Sequence, residues 1–387
     1  MPIINRIADF HVEMREWRQY LHAHPELQFD CHETAAFVVD RLKEFGVDEI
    51  HEGIAKTGIV AIINGKKPGK TIGLRADMDA LPLEEAHDHP YKSIYKGKMH
   101  ACGHDGHTTM LLGAARYLTE TRNFSGRVAL IFQPAEEGGG GAEVMCKEGV
   151  MDTFLIHQVF GLHNDPGSPL GFFTTNPGPV LAAADSFTIL ITGRGGHGAS
   201  PEETVDPIVA AVQIAQAIQT ISSRNIPALE TVVISITQIH AGTIDNIIPN
   251  GAFINGTVRT LTKENQAKVV QRFNDICEGN SLAFGAKVDL DYQYGYPPTV
   301  NHLDATEFAI GVAEEISGSE NVNGNAPPIM ASEDFAYMLE ERPGAYVSIG
   351  QGQGAGLHNP EYDFNDELSP IGASYLVRLV ETAQPLE

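Results

Sequence analysis

The segment Met99-His100-Ala101-Cys102-Gly103-His104-Asp105-Gly106-His107 is the stretch of this chain richest in groups able to bind a cation. A thiolate and an imidazole on either side of one glycine, with a second glycine close by, suit a soft or borderline divalent ion on a tightly turned backbone. Not every group there can be a ligand. His100 and His107 read as residues that orient neighbours or pack at a helix start. Asp105 is a candidate carboxylate for fixing a ligating imidazole. The adjacent pair Glu136-Glu137 follows an apolar run and precedes the glycines Gly138 to Gly141. On an extended backbone adjacent side chains diverge, so one carboxylate can hold metal while the other takes a proton from water. Proton transfer by a carboxylate needs a raised pKa, which a dry, acidic cleft supplies. The alternative, two solvated surface glutamates, fits poorly with the apolar strand before the pair and the glycines after it.

The elements that must carry these groups follow from hydrophobic periodicity. Apolar residues Ile4, Ile7, Phe10, Met14, Trp17 and Leu21 recur at helical spacing, so the chain opens with a helix. Strands are expected over 71–76, 127–133 and 154–162, and a helix over 108–120. Asp77/Asp79, Glu136/Glu137 and His163 then stand just past strand ends, the edge where ligands bind in open α/β sheets. Each alone could be an N-cap or an ion pair, but several unpaired charges gathered at one sheet edge are costly unless a metal neutralises them. The alternation of strand and helix argues for an α/β fold with a mainly parallel sheet flanked by helices. From Asp185 the rhythm changes to strand 186–192, helix 207–222, strands 231–239 and 252–260, helix 263–278 and strand 286–292. That β-α-β-β-α-β order is the signature of a ferredoxin-like unit. It reads as an inserted domain over 185–299, with 1–184 and 300–387 forming the catalytic, metal-binding domain. A further strand over 345–350 and a closing helix over 369–383 complete the first domain.

Composition narrows the partners. Asp and Glu total 50 against 26 Lys and Arg, a net charge of −24, which repels phosphate backbones and anionic membrane surfaces. Nucleic acid and membrane are therefore not expected partners. Cys31, Cys102, Cys146 and Cys277 are too sparse and irregular for a disulfide framework. The opening stretch, Met1 to Arg18, lacks an apolar core of signal-peptide length, and no run of about 18 apolar residues spans a membrane. A reducing cytoplasm is the expected location.

Five motifs stand in order: Leu74-Arg75-Ala76-Asp77-Met78-Asp79-Ala80-Leu81-Pro82, His100 to His107, Gln133-Pro134-Ala135-Glu136-Glu137, Gly161-Leu162-His163 and Met330-Ala331-Ser332-Glu333-Asp334-Phe335. With them the chain resembles the amidohydrolase branch of the aminoacylase/carboxypeptidase family of two-metal metallopeptidases, over essentially its whole length. The resemblance implies that Cys102, His104, Glu137, His163 and His358 hold two divalent ions, zinc or manganese, with cobalt or nickel also possible. It implies Glu136 as general base and Asp79 as the carboxylate behind the ligands. In related branches a histidine that binds metal stands where Asp77 stands, so Asp77 is expected not to ligate. The inserted domain matches the family's lid and dimerisation domain. His197, in Gly195-Gly196-His197-Gly198-Ala199, resembles the residue that reaches into a neighbouring subunit's site and polarises the scissile carbonyl. Asn246 and Arg259 resemble substrate-binding positions, and the planar fork of Arg259 suits an amino acid carboxylate; a structural salt bridge is the alternative for it. Ser332-Glu333-Asp334 either lines the pocket or caps the helix that follows.

The activity so implied is hydrolysis of the amide bond of small N-acyl amino acids by a homodimer or higher homo-oligomer. A dipeptidase or carboxypeptidase would use the same site. A metal-dependent binding protein without turnover belongs to another class, and Glu136 argues against it, because a binder has no use for a base.

Overall fold

The computed structural model describes residues 3–386. The chain folds as two compact units, the first comprising residues 1–180, 300–327 and 334–387 and the second residues 181–299 and 328–333. The second unit thus begins before the expected boundary at 185 and takes in a short segment, 328–333, that no sequence pattern separates from its neighbours.

The first unit is built on an eight-stranded sheet whose centre is parallel. Its order is Glu49–Ile54, Gly58–Asn64, Ser125–Gln133, Lys67–Asp77, Ile156–Pro166, Gly344–Gly352, Phe173–Thr174 and Val322–Asn323. The four central strands, Ser125–Gln133 to Gly344–Gly352, run parallel. Two antiparallel strands extend one side of them. The Gly58–Asn64 strand is buried over all but its last residue, as its continuous run of β-branched and small apolar residues requires. Register sets the height of the chemistry: Asp77 pairs with Gln133, and Arg75 pairs with Gly161. His163 therefore reaches the same edge as Asp77, but it does not lie past its strand. Ile156–Pro166 continues beyond it, because Gly344–Gly352 pairs with it as far as Pro166.

The helix carrying the Cys/His segment runs His104–Thr121, starting four residues before the expected 108. Gly103, in the left-handed region at φ 97°, makes the turn into it, so His104 and His107 lie on its first turn. It packs against the helices His11–Ala23 and Ser369–Ala383. The expected opening helix is two: Asn5–Asp9 and His11–Ala23, separated at Phe10. Its apolar stripe persists through the break, with Ile7, Phe10, Met14 and Trp17 all in the core.

The second unit contains a four-stranded antiparallel sheet in the order Val232–Ala241, Gly251–Thr260, Ala183–Thr192 and Lys287–Gln293. Helices Pro207–Thr220 and Lys263–Phe284 pack on it through Ile214, Ile218, Val269 and Phe273. Strict alternation along Gly251–Thr260 gives that strand one buried and one less buried face. Asp206 caps the first helix, accepting from the N–H of Ile208 at 2.8 Å, with Pro207 at its first position. Thr262 caps the second.

Candidate metal centre

Beyond Asp77 the chain continues to Asp79, which is fully buried, and this carboxylate organises the next strand end. Its two oxygens accept from the N–H groups of Glu136 (2.9 Å) and Glu137 (3.1 Å). The two glutamates lie on a turn, not on the extended backbone expected for them. Ala135, at φ 58°, reverses the chain into that turn, and side chains from successive turn residues separate. The backbone carbonyl of Asp79 also accepts Nδ1–H of His104 at 2.8 Å, which leaves the lone pair of His104 on Nε2. That Nε2 is buried without a hydrogen-bond partner among the described residues.

Around it stand the other four donors. Cys102 Sγ lies 3.5 Å from His163 Nε2, and His163 Nδ1 donates to the carbonyl of Asn164 at 2.7 Å, so Nε2 is again the free nitrogen. His358 Nε2 lies 3.2 Å from Glu137 Oε1. The backbone of His358 is held in the left-handed region, at φ 60°, by an N–H bond of 2.7 Å to the carbonyl of Ala101. Ligand atoms of Cys102, His104 and His163 lie within 4.8 Å of one another, and so do those of Cys102, Glu137 and His358. His104, Glu136 and Glu137 form a third such group. Cys102 and His104 are buried and His358 is exposed, so the donor set runs from a closed floor to an open rim.

Electrostatics fit a cation. Burial, reinforced by His107, lowers the pKa of His163 to about 4, keeping its imidazole neutral as a ligand must be. Burial pushes the Cys102 thiol well up. Burial also opposes charge on His104, but Asp77 and Cys102 outweigh it and raise that imidazole well above its ordinary value.

Asp77 does not join the donors as a free group. Arg75 Nη1 lies 2.7 Å from one of its oxygens and His107 Nδ1 2.5 Å from the other. Burial works against its charge, yet Arg75, then His104 and His107, hold it well below the usual carboxylate range. Arg75 also reaches Asp334 (3.1 Å). Asp334 accepts from Gln133 Nε2 (2.8 Å) and the N–H of Ala142 (2.9 Å). Asp334 is thus a buried tie between strand ends. At the start of the helix Ala336–Glu341 the side chain of Phe335 makes no cap bond, and the N–H of Tyr337 donates to the backbone carbonyl of Asp334 at 2.9 Å.

One expectation for the Cys/His segment needs correction. Asp105 fixes no ligating imidazole; it accepts from His22 Nδ1 at 2.8 Å, on the helix His11–Ala23. Of the two readings for His100, packing holds: it is buried, and neither ring nitrogen has a hydrogen-bond partner among the described residues. The sequence reading missed Arg18 and His22, which are buried polar residues one helical turn apart and bond to Asp366 (2.6 Å) and Asp105. Their only signal was the i, i+4 spacing beside Trp17 and Leu21.

The remaining candidates belong to the second unit. The short pairing of Gly196–His197 with Ile247–Ile248, and the N–H of Gly198 donating to the carbonyl of Asn246 at 2.9 Å, bring His197 beside Asn246. Both residues are exposed. The N–H of Ala199 donates to His197 Nδ1 at 3.0 Å, which places the ring proton on Nε2. Arg259, on Gly251–Thr260, is partly buried, and its guanidinium has no hydrogen-bond or ion-pair partner among the described residues.

A mainly parallel sheet whose edge carries a Cys/His/Glu donor set defines the class as a metal-binding α/β protein. The chain belongs to peptidase family M20/M25/M40, which it matches over residues 73–382. It is 43% identical over 379 residues to the hippurate hydrolase of Campylobacter jejuni, covering 98% of both chains. It is 40% identical over 359 residues to thermostable carboxypeptidase 1 of Saccharolobus solfataricus, covering 90% of both. Among solved structures it resembles the YXEP protein of Bacillus subtilis, a dinuclear metal-binding peptidase of the M20 family. The TM-score is 0.86 at 33% identity, covering 97% of this chain and 99% of that one.

Proposed function

We propose that this chain hydrolyses the amide bond of small N-acyl amino acids at a centre of two divalent ions held by Cys102, His104, Glu137, His163 and His358. The observation that carries the reading is that these five donors fall into two overlapping triads sharing the Cys102 sulfur. The donor chemistry suits zinc, with its preference for thiolate and imidazole; manganese, cobalt and nickel also accept such sets. When bound, two such ions polarise an amide carbonyl and lower the pKa of an attacking water.

The residues of the chain do the rest. Glu136, on the turn fixed by Asp79, takes the proton from the attacking water and returns it to the leaving nitrogen. His197 donates from Nε2 to the carbonyl oxygen as negative charge develops there. Asn246 and the unpartnered guanidinium of Arg259 bind the substrate, Arg259 through its carboxylate.

The second unit acts as a ferredoxin-like lid and dimerisation domain, bringing His197 to the metal centre of a neighbouring subunit. Its helix Pro207–Thr220 leaves Ile208, Val209 and Val212 exposed, and Ile239 and Ile247 are exposed in the same unit, which supports burial of an apolar face against a second copy. All four cysteines are free and buried, which accords with a reducing compartment. Among the described residues no helix is long and apolar enough to cross a membrane.

Similarity to a carboxypeptidase favours one second reading, cleavage of C-terminal residues from peptides at the same centre. Rates on a panel of N-acyl amino acids, dipeptides and longer peptides separate the two. Higher kcat/KM on N-acyl amino acids supports the first reading, and higher kcat/KM on peptides overturns it.

A further inference from the structure

Asn164, next to His163 on the strand Ile156–Pro166, is buried. Its carbonyl accepts Nδ1–H of His163 at 2.7 Å. Its N–H lies 3.1 Å, and its Oδ1 2.7 Å, from Nε2 of His107. Its Nδ2 donates to Gln351 Oε1 at 3.0 Å and to the hydroxyl of Tyr362 at 2.8 Å. Tyr362 in turn donates to Gln351 Oε1 at 3.2 Å, and both partners are buried. Both hydrogens of Nδ2 thus have acceptors, which fixes the orientation of the amide.

The same amide presses on the ligand turn. Gly103 lies between Cys102 and His104, and a Cβ on it would come 2.2 Å from Asn164 Oδ1 and 2.6 Å from the Tyr362 hydroxyl. No side chain fits there, so the amide and the phenol hydroxyl lie close against the backbone joining two donors. Tyr362 also belongs to the loop that carries His358, whose own N–H is tied to Ala101.

We propose that Asn164 is a positioning residue of the metal centre, whose amide, pinned by Gln351 and Tyr362, holds the Cys102–His104 turn in register with the His163 imidazole. This rests on the two-metal reading above. A residue that merely packed the core would contribute to stability without influencing the field at a bound ion. The cluster instead connects to three donors through the backbone beside each, as partners that orient metal ligands do.

The test uses the full chain, stripped with a chelator and titrated with cobalt(II), comparing wild type with Asn164→Leu and Tyr362→Phe. Leucine keeps the shape of the amide and removes its hydrogen bonds; phenylalanine removes a single oxygen. For Asn164→Leu, cobalt affinity should fall about 10–100-fold and the visible absorption bands of the bound ion should shift. At saturating metal its kcat should drop with little change in KM. Tyr362→Phe should move affinity and spectrum in the same direction by less. Wild-type affinity and spectrum in both variants, whatever their thermal stability, would overturn the proposal. If Asn164→Leu does not fold, unchanged values in Tyr362→Phe suffice to overturn it. A wild-type chain that takes up no cobalt would overturn the metal centre itself, and this proposal with it, before any variant is compared.

Discussion

Glu136 and Glu137 leave one turn with their N–H groups on the two oxygens of a single carboxylate, Asp79, and both carboxylates lie near His104, while that of Glu137 also groups with Cys102 and His358. Glu137 lies against the exposed His358 and shares a triad with Cys102, whereas Glu136 is the more buried of the pair. Glu136→Gln should therefore keep its metal while kcat falls by ~10²–10⁴, the usual contribution of a positioned base. Glu137→Ala should lose or weaken metal binding instead. Metal content measured alongside kcat checks both, and the reverse pattern would exchange the two roles. Arg259 permits a similar separation. If its guanidinium clamps a carboxylate, Arg259→Ala should penalise N-acyl amino acids far more than their neutral amides in kcat/KM. Equal losses would make it structural.

At the scale of elements, the helix His11–Ala23 supplies the floor beneath the His104 helix. Its Arg18 and His22 are buried among Asp105, Glu85, Asp363 and Asp366. Burial opposes charge on His22, but hydrogen bonds to Asp105 and Glu85 raise its pKa to about 9. A folded-state pKa above the ordinary 6.5 stabilises the fold fully below pH 6.5 or so, and that stabilisation is lost as pH rises through about 9. The shift corresponds to roughly 3 kcal/mol. The urea midpoint of chelated protein should fall between pH 6.5 and 9.5, and His22→Gln should flatten that fall. An equally steep decline in the variant would remove His22 as its source.

This floor was not legible in the sequence, because a charged residue on an amphipathic helix reads as a solvated face until its partners arrive from distant segments. The donors were more legible. Cys102, His104 and the glutamate pair sit in clusters whose residue types suit little else, and strand periodicity brought the glutamates and His163 to one edge. His358 had no such signal: it stands in a glycine-containing loop, and only the family resemblance marked it. The helix start at His104 was missed because Gly103, not a Ser, Thr or Asp cap, makes the turn. His163 looked terminal because the pairing that prolongs its strand comes from Gly344–Gly352, far along the chain.

For the whole molecule, the proposed function makes each active site depend on two subunits. Mixing Glu136→Gln with His197→Ala subunits gives a heterodimer with one site carrying both defects and one carrying neither. If His197 acts in trans, activity should return to up to about half of wild type per heterodimer. If it acts in cis, every site keeps one defect and mixing restores nothing. Size measurement in solution belongs with this test, since a monomer would exclude trans action.

The most direct measurement is a metal titration of the chelated wild-type chain, with hydrolysis of an N-acyl amino acid followed as each increment of zinc or manganese is added. Activity should be absent in the chelated protein and should return as the bound metal approaches two ions per chain. Full hydrolysis by a preparation that elemental analysis finds free of metal would contradict the two-metal amidohydrolase.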